Sequence, residues 1–361
     1  MIRTIALGAG ATALLLATPA FAHHPSGAGS TGEAGPIVTV PATTLEQGQS
    51  SAAVVFEYLK FDSLSDTQLA VPGHPHSLDA ILAPSLLYSY GVTDDLTLTL
   101  RLPFVRRTDI REGHVHGGVP EVDQLGDSAG FGDLSLFGQY RFFRDRAMQT
   151  EVALLAGLKL PTGDTGANTA DGSERFETEF QPGSGAWEGS FGLAATRRFG
   201  AWSLDANVLY TVAGEGAQQT DLGNRFQYNA ALSYRLTGSL SGLWGPMRAG
   251  PLPEPMYHGG PKAHAHDHDH DHAAEEPHAA PKGPALDLVL ELNGEWHARE
   301  VIAGVTDPNS GGNVVFLSPG LRLSYDKWSG FVSVGVPVVN ELNGIQAEPD
   351  WRVLTGVAVS F

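Results

Sequence analysis

The chain has 361 residues, no cysteine, and 40 acidic against 22 basic side chains. The acid excess argues against a nucleic-acid partner, because phosphate binding needs the opposite sign. Without cysteine there are no disulfide staples, so stability must come from the fold itself. No segment beyond residue 22 holds the ~18 consecutive apolar residues of a spanning helix.

Residues 1–22 read as a secretory signal, with Arg3, a mostly apolar run from Ile5 to Ala17, and Ala20-Phe21-Ala22 as a small-x-small cleavage site that leaves His23 first. Residues 23–50 are small, polar and rich in Pro and Gly, and are expected to form a flexible periplasmic N-terminal segment, or a plug. From there a period of two takes over. Alternating segments run through Ser51–Phe61, Leu78–Tyr90, Leu96–Arg107, Gly132–Phe143, Thr150–Leu160 and Trp187–Phe199. They continue through Trp202–Val212, Arg225–Leu236, Ala285–His297, Val314–Tyr325, Trp328–Val338 and Trp351–Phe361. In the ninth, Leu286, Leu288, Leu290, Leu292 and Trp296 face one way and Asp287, Glu291, Asn293 and Glu295 the other.

A strand of about twelve residues is ~40 Å long, and tilted by roughly 40–45° it covers an apolar band of ~25 Å. Connections alternate too. Gly91–Asp95, Arg144–Ala147, Gly200–Ala201 and Asp326–Lys327 are tight, whereas Phe61–Ser77, Thr108–Gly130, Pro161–Ala186, Ala213–Asn224, Ala298–Asn313 and Val339–Asp350 are long. The expected fold is all-β, an antiparallel transmembrane β-barrel of about twelve strands over residues 51–361, with both termini periplasmic. A soluble sandwich or propeller would need polar outer faces, and here the apolar face recurs on nearly every strand. Localisation in the bacterial outer membrane follows, with lipid and the barrel assembly machinery as partners. Trp187, Trp202, Trp296, Trp328 and Trp351, near strand ends, fit interfacial belts.

The opposite faces carry Arg101, Arg141, Arg235, Arg322 and Arg352 beside Asp133, Asp205, Asp287, Glu291 and Glu295. Charge in a lumen must pair or meet water, so these ten are expected to line the lumen, as a salt-bridge ladder or a selectivity lining. His297 is expected to join them.

Residues 239–284 break the short-turn rule. This periplasmic insert is Gly/Pro-rich and then His-rich, and is expected to be disordered. His264, His266, His268, His270, His272 and His278 alternate with or follow Asp267, Asp269 and Asp271. Imidazole and carboxylate at that spacing suit a labile Zn, Cu or Ni site, while a solvated low-complexity insert or a pH-responsive segment remains open. His23 and His24 would add a second grip, and His74, His76, His114 and His116 fall in loops expected outside. No Gly-x-Ser-x-Gly, His-Glu-x-x-His or phosphate-loop signature occurs, so no enzyme and no required cofactor is expected.

Several stretches resemble one family. Phe131-Gly132-Asp133-Leu134, Tyr140-Arg141-Phe142, Leu158-Lys159-Leu160-Pro161-Thr162-Gly163, Gln181-Pro182-Gly183-Ser184-Gly185 and Phe316-Leu317-Ser318-Pro319-Gly320-Leu321-Arg322 are similar to the outer-membrane proteins grouped as the putative MetA-pathway of phenol degradation family. So are Pro337, Asn343-Gly344 and Trp351-Arg352. The resemblance implies transport, and the family name implies aromatic compounds. Members with His-rich inserts look like companions of heavy-metal efflux systems. The function expected is a porin-like channel for small solutes linked to Zn, Cu, Ni or Co handling through the His-rich loop, with divalent metal ions or a periplasmic metal-efflux component as partner. The alternatives are an uptake channel for small aromatic compounds and a metal-binding barrel anchor that transports nothing.

Overall fold

Alternation decides the architecture. Along Ala285–His297, Asp287, Glu291 and Asn293 are 2%, 1% and 4% exposed, whereas Leu288, Leu290 and Leu292 are 42%, 47% and 48% exposed. The apolar side chains point out and the charged ones in, the reverse of a soluble protein and the pattern of a sheet whose outer face meets hydrocarbon. The computed structural model describes residues 35–236 and 284–361.

The elements in chain order are β1 (Ser50–Asp62), a single helical turn α1 (Asp66–Leu69), β2 (His76–Ser77), β3 (Ala80–Leu82), β4 (Ser85–Thr93), β5 (Leu96–His116) and β6 (Val119–Phe131). Then come β7 (Ser135–Asp145), β8 (Thr150–Lys159), β9 (Glu188–Phe199), β10 (Trp202–Ala213), β11 (Thr220–Asp221) and β12 (Arg225–Leu236). The rest are β13 (Ala285–His297), β14 (Val301–Ile302), β15 (Val305–Thr306), β16 (Gly312–Tyr325), β17 (Trp328–Leu342) and β18 (Glu348–Ser360).

The sheet closes where β1 pairs antiparallel with β18, from Ser51↔Ser360 to Asp62↔Glu348. The result is a twelve-stranded antiparallel barrel, with β3 and β4 sharing one position in the ring and β11, β14 and β15 forming a small separate sheet. Closure satisfies every edge, which lipid cannot do. Tight turns 94–95, 146–149, 200–201 and 326–327 gather at one end, together with the start of β1 and the end of β18. The ends joined by residues 237–284 lie there too, Leu236 pairing with Leu286. Trp202 and Trp328 lie at this turn end, and Trp187, Trp296 and Trp351 at the loop end, which makes two belts.

Four expectations change. The strand expected at Leu78–Tyr90 is two pieces, because Pro84 has no N–H to give. Ala83 N still donates to Glu57 O at 2.8 Å and Pro84 O accepts from Phe104 N at 2.8 Å, so the ring stays continuous. The loop expected at Thr108–Gly130 is a hairpin of β5 and β6 beyond the ring, turned at Gly117-Gly118 with φ of 59° and 85°. Two consecutive positive φ values need glycine-like freedom, and this signal was present in the sequence. The connection expected at Val339–Asp350 shrinks to 343–347 because β17 and β18 run on. Finally, residues 35–49 are tied to the inner wall, which departs from the flexible segment expected there and agrees with the plug given as its alternative.

Candidate functional site

Within the ring lies a cavity of about 210 Å³. Four of the ten predicted lumen residues line it, namely Arg101, Asp133, Glu295 and Arg352, with Val38 and Val40 of the N-terminal segment also facing it. Its character is mixed. Val105, Phe137, Leu209 and Phe316 contribute apolar surface, and Lys159 a further cation. The Arg352 guanidinium lies 4.5 Å from the Phe316 ring centroid and donates to Asn293 Oδ1 at 3.0 Å. Arg101 Nε donates to Ser85 Oγ at 3.2 Å.

The other six predicted residues face inward but hold structure. Arg235 grips Asp287 through two bonds of 2.7 and 2.9 Å, and Arg141 bonds to Asp95 at 2.8 Å and Glu151 at 3.4 Å. Asp205 accepts from Thr196 Oγ1 at 2.6 Å and Ser203 Oγ at 2.8 Å. Glu291 and Arg322 bind the N-terminal segment. The Glu291 carboxylate accepts three successive backbone N–H groups, from Ile37 at 3.1 Å, Val38 at 3.0 Å and Thr39 at 2.9 Å. Arg322 donates to Pro36 O at 2.7 Å.

The segment then follows the wall. Val40 N donates to Asn207 Oδ1 at 2.9 Å, Ala42 N to Thr196 Oγ1 at 2.8 Å and Leu45 N to Thr97 Oγ1 at 2.8 Å. Gln139 Nε2 donates to the carbonyls of Pro41 and Thr43 at 2.7 and 2.6 Å. Contacts thus pass from β16 through β13, β10, β9 and β7 to β5, in ring order. A backbone without strand partners has its polar groups met by the polar inner face, as burial demands. Thr97, Gln139 and Asn207 fall on the polar faces of their alternating segments, but nothing in the sequence named their partner.

On the loop side, Asp133 joins two of the loop motifs noted above. Its carboxylate accepts from Gly163 N, Ser184 N and Ser184 Oγ, each at 2.9 Å, and Lys159 Nζ lies 3.3 Å away. The glycines permit the approach, since a Cβ at Gly163 would sit 2.6 Å from the Gly132 carbonyl carbon and one at Gly183 2.7 Å from Gly163. Lys159 also pairs with Glu188, which pairs with Arg225; none of these three was among the predicted site residues. Beside them Phe176 and Phe180, from the 161–187 connection, are buried with Leu59, Phe61, Ile81 and Val105 in an apolar cluster.

Of the predicted histidines, His23, His24 and the 264–278 set, with Asp267, Asp269 and Asp271, lie outside the described residues. His297 is buried, its Nδ1 3.1 Å from Ala298 O. His114 lies 3.4 Å from both Glu121 and Asp123. His76 is largely buried beyond the ring, its Nδ1 2.9 Å from Glu179 Oε1 and its Nε2 3.7 Å from Glu112 and Glu177. Burial opposes charge on its imidazole, but the neighbouring Glu112 and Glu179 carboxylates outweigh that and hold its pKa well above the usual range. The neighbouring His76 ring, with His74 bonded at 2.9 Å, pulls the Glu112 carboxyl down to about 2.

The model of the family described as "Putative MetA-pathway of phenol degradation" matches residues 51–245, more than half of the chain. The chain belongs to that family. Among solved structures it is similar to the COG4313 outer membrane channel from Pseudomonas putida F1, with 16% identity, a TM-score of 0.51, and coverage of 89% of this chain and 98% of that one. At that identity the likeness shows the fold of an outer-membrane barrel. A mutant of the monoaromatic hydrocarbon channel TodX is more distant, with 10% identity, a TM-score of 0.42, and coverage of 88% and 91%. No curated protein matches the chain.

Proposed function

We propose that this outer-membrane barrel is a channel for small aromatic solutes that carry an acidic or hydroxyl edge. The observation that carries the reading is the cavity. Phe137, Phe316, Leu209 and Val105 offer apolar surface for a ring, and Arg101, Lys159 and Arg352 offer cations for an oxyanion or hydroxyl. The family description, phenol degradation, points to the same chemistry. In the proposed orientation the tight turns, with the ends of β12 and β13 beside them, face the periplasm and the long connections face outward. Residues 35–49 then form a gate at the periplasmic side, held by Glu291.

Metal handling through His264–His278 finds no support in the cavity, the fold or the family description. The test is flux into liposomes carrying the full chain, with benzoate against a neutral aliphatic solute of similar size. Benzoate should enter faster, and Arg352→Gln should remove most of that preference without changing heat-modifiable migration. Equal entry of the two solutes, or a preference that survives Arg101→Gln and Arg352→Gln together, would overturn the reading.

A further inference from the structure

Beyond the ring, at the loop end, three distant parts of the chain bring acids around one imidazole. His76 comes from β2, Glu177 and Glu179 from the 161–187 connection, and Glu300 and Asp307 from the connection holding β14 and β15. One nitrogen of His76 and one oxygen each of Glu177 and Glu179 lie within 4.8 Å of one another. We propose that His76, Glu177 and Glu179 bind a divalent cation of the Mn or Zn class, which ties these connections together over the outer mouth of the barrel.

An imidazole with two carboxylates is a donor set that both ions accept. A tetrahedral ion with donors at ~2.1 Å needs them about 3.4 Å apart, and these three already lie within 4.8 Å of one another.

A second observation points to a cation at this place. Glu300 is 1% exposed, its Oε1 has no hydrogen-bond partner, and its charge acts on Glu179, Asp307, Glu177 and His76. Burial and those like charges push its pKa well up, as burial first of all does to a lesser extent for Glu177. With Glu112, the groups facing this point include five carboxylates, against His76, the exposed His74 on Glu112, and the buried Arg107 near Glu179 and Glu300. Clustered buried acids are costly unless compensated, and a divalent ion supplies two charges where the imidazole supplies at most one. The site is apart from the lumen but mechanically linked to it, because the His76 ring meets Phe180 edge-on at 5.1 Å and Phe180 belongs to the apolar cluster above the cavity.

The imidazoles of the His-rich stretch are themselves metal donors, so the test must localise the ion. Crystals of the full chain in Mn²⁺ should give an anomalous peak between His76, Glu177 and Glu179. In detergent, Mn²⁺ titration followed by electron paramagnetic resonance should show one equivalent fewer for Glu179→Gln and for His76→Gln than for the unaltered chain. If either variant fails to show folded, heat-modifiable migration, Glu177→Gln, at a side chain 44% exposed, replaces it. No peak at that position under excess Mn²⁺, or equal stoichiometry in folded variants, would overturn the proposal.

Discussion

Asp133 holds two loops at once, so its loss should be felt beyond its own volume. Replacement by Ala leaves the part-buried N–H of Gly163 and the buried N–H of Ser184 without an acceptor, at roughly 1–3 kcal/mol each, for a total of about 3 kcal/mol. Urea unfolding in micelles should show that loss, with Asp133→Asn costing less because one acceptor oxygen remains. Asp127 makes a pH prediction. It accepts from Arg106 and from the Asp109 N–H, which lower its pKa. A lowered carboxyl contributes stability that is complete above its unfolded value of about 3.9 and is lost as pH falls through its folded value. Protease cleavage in the β5–β6 hairpin should therefore rise at the acid end of that window, and Asp127→Asn should flatten the dependence.

At the level of elements, the N-terminal segment depends on few anchors. Glu291→Ala removes the acceptor for three consecutive N–H groups, so residues 35–45 should become accessible to protease and single-channel conductance should rise several-fold. Unchanged conductance would show that the segment does not gate. The strands themselves were legible because period two is a local signal, and on β13 it separates the inner from the outer residues. Gly117-Gly118 is an equally local signal, although the stretch around it was expected to be a loop. That the segment could plug the barrel was legible, but its anchors were not, because its acceptors lie 52 to 254 residues away on strands whose polar faces read equally well as bare lumen. For the same reason Glu291 and Arg322 were expected among the lining residues, and the acid cluster at His76 stayed hidden, since its members come from three separate connections.

For the whole molecule, the outer surface of the ring is the face that meets lipid. Leu290, 47% exposed on the middle of β13, should tolerate Ala well and Arg poorly. At the centre of the band, Arg should cost about 2–4 kcal/mol in bilayer folding equilibria. A cost near zero would mean that the apolar face does not meet hydrocarbon. The cavity chemistry was only partly readable: four of its charged residues were predicted, whereas Lys159 was read only as part of a motif and the apolar patches on the inner wall, Phe137 and Phe316, break the simple polar-inside rule.

The joint between β1 and β18 carries a further consequence. The first stave of the ring can find its mate only after the last has been delivered, some three hundred positions later in the chain. Until that moment both margins of the curved sheet carry bare amide and carbonyl groups, which hydrocarbon cannot solvate. Half-made forms therefore have no resting place in the bilayer, and a chain shorn of its final stave should be found degraded or aggregated rather than inserted and leaky.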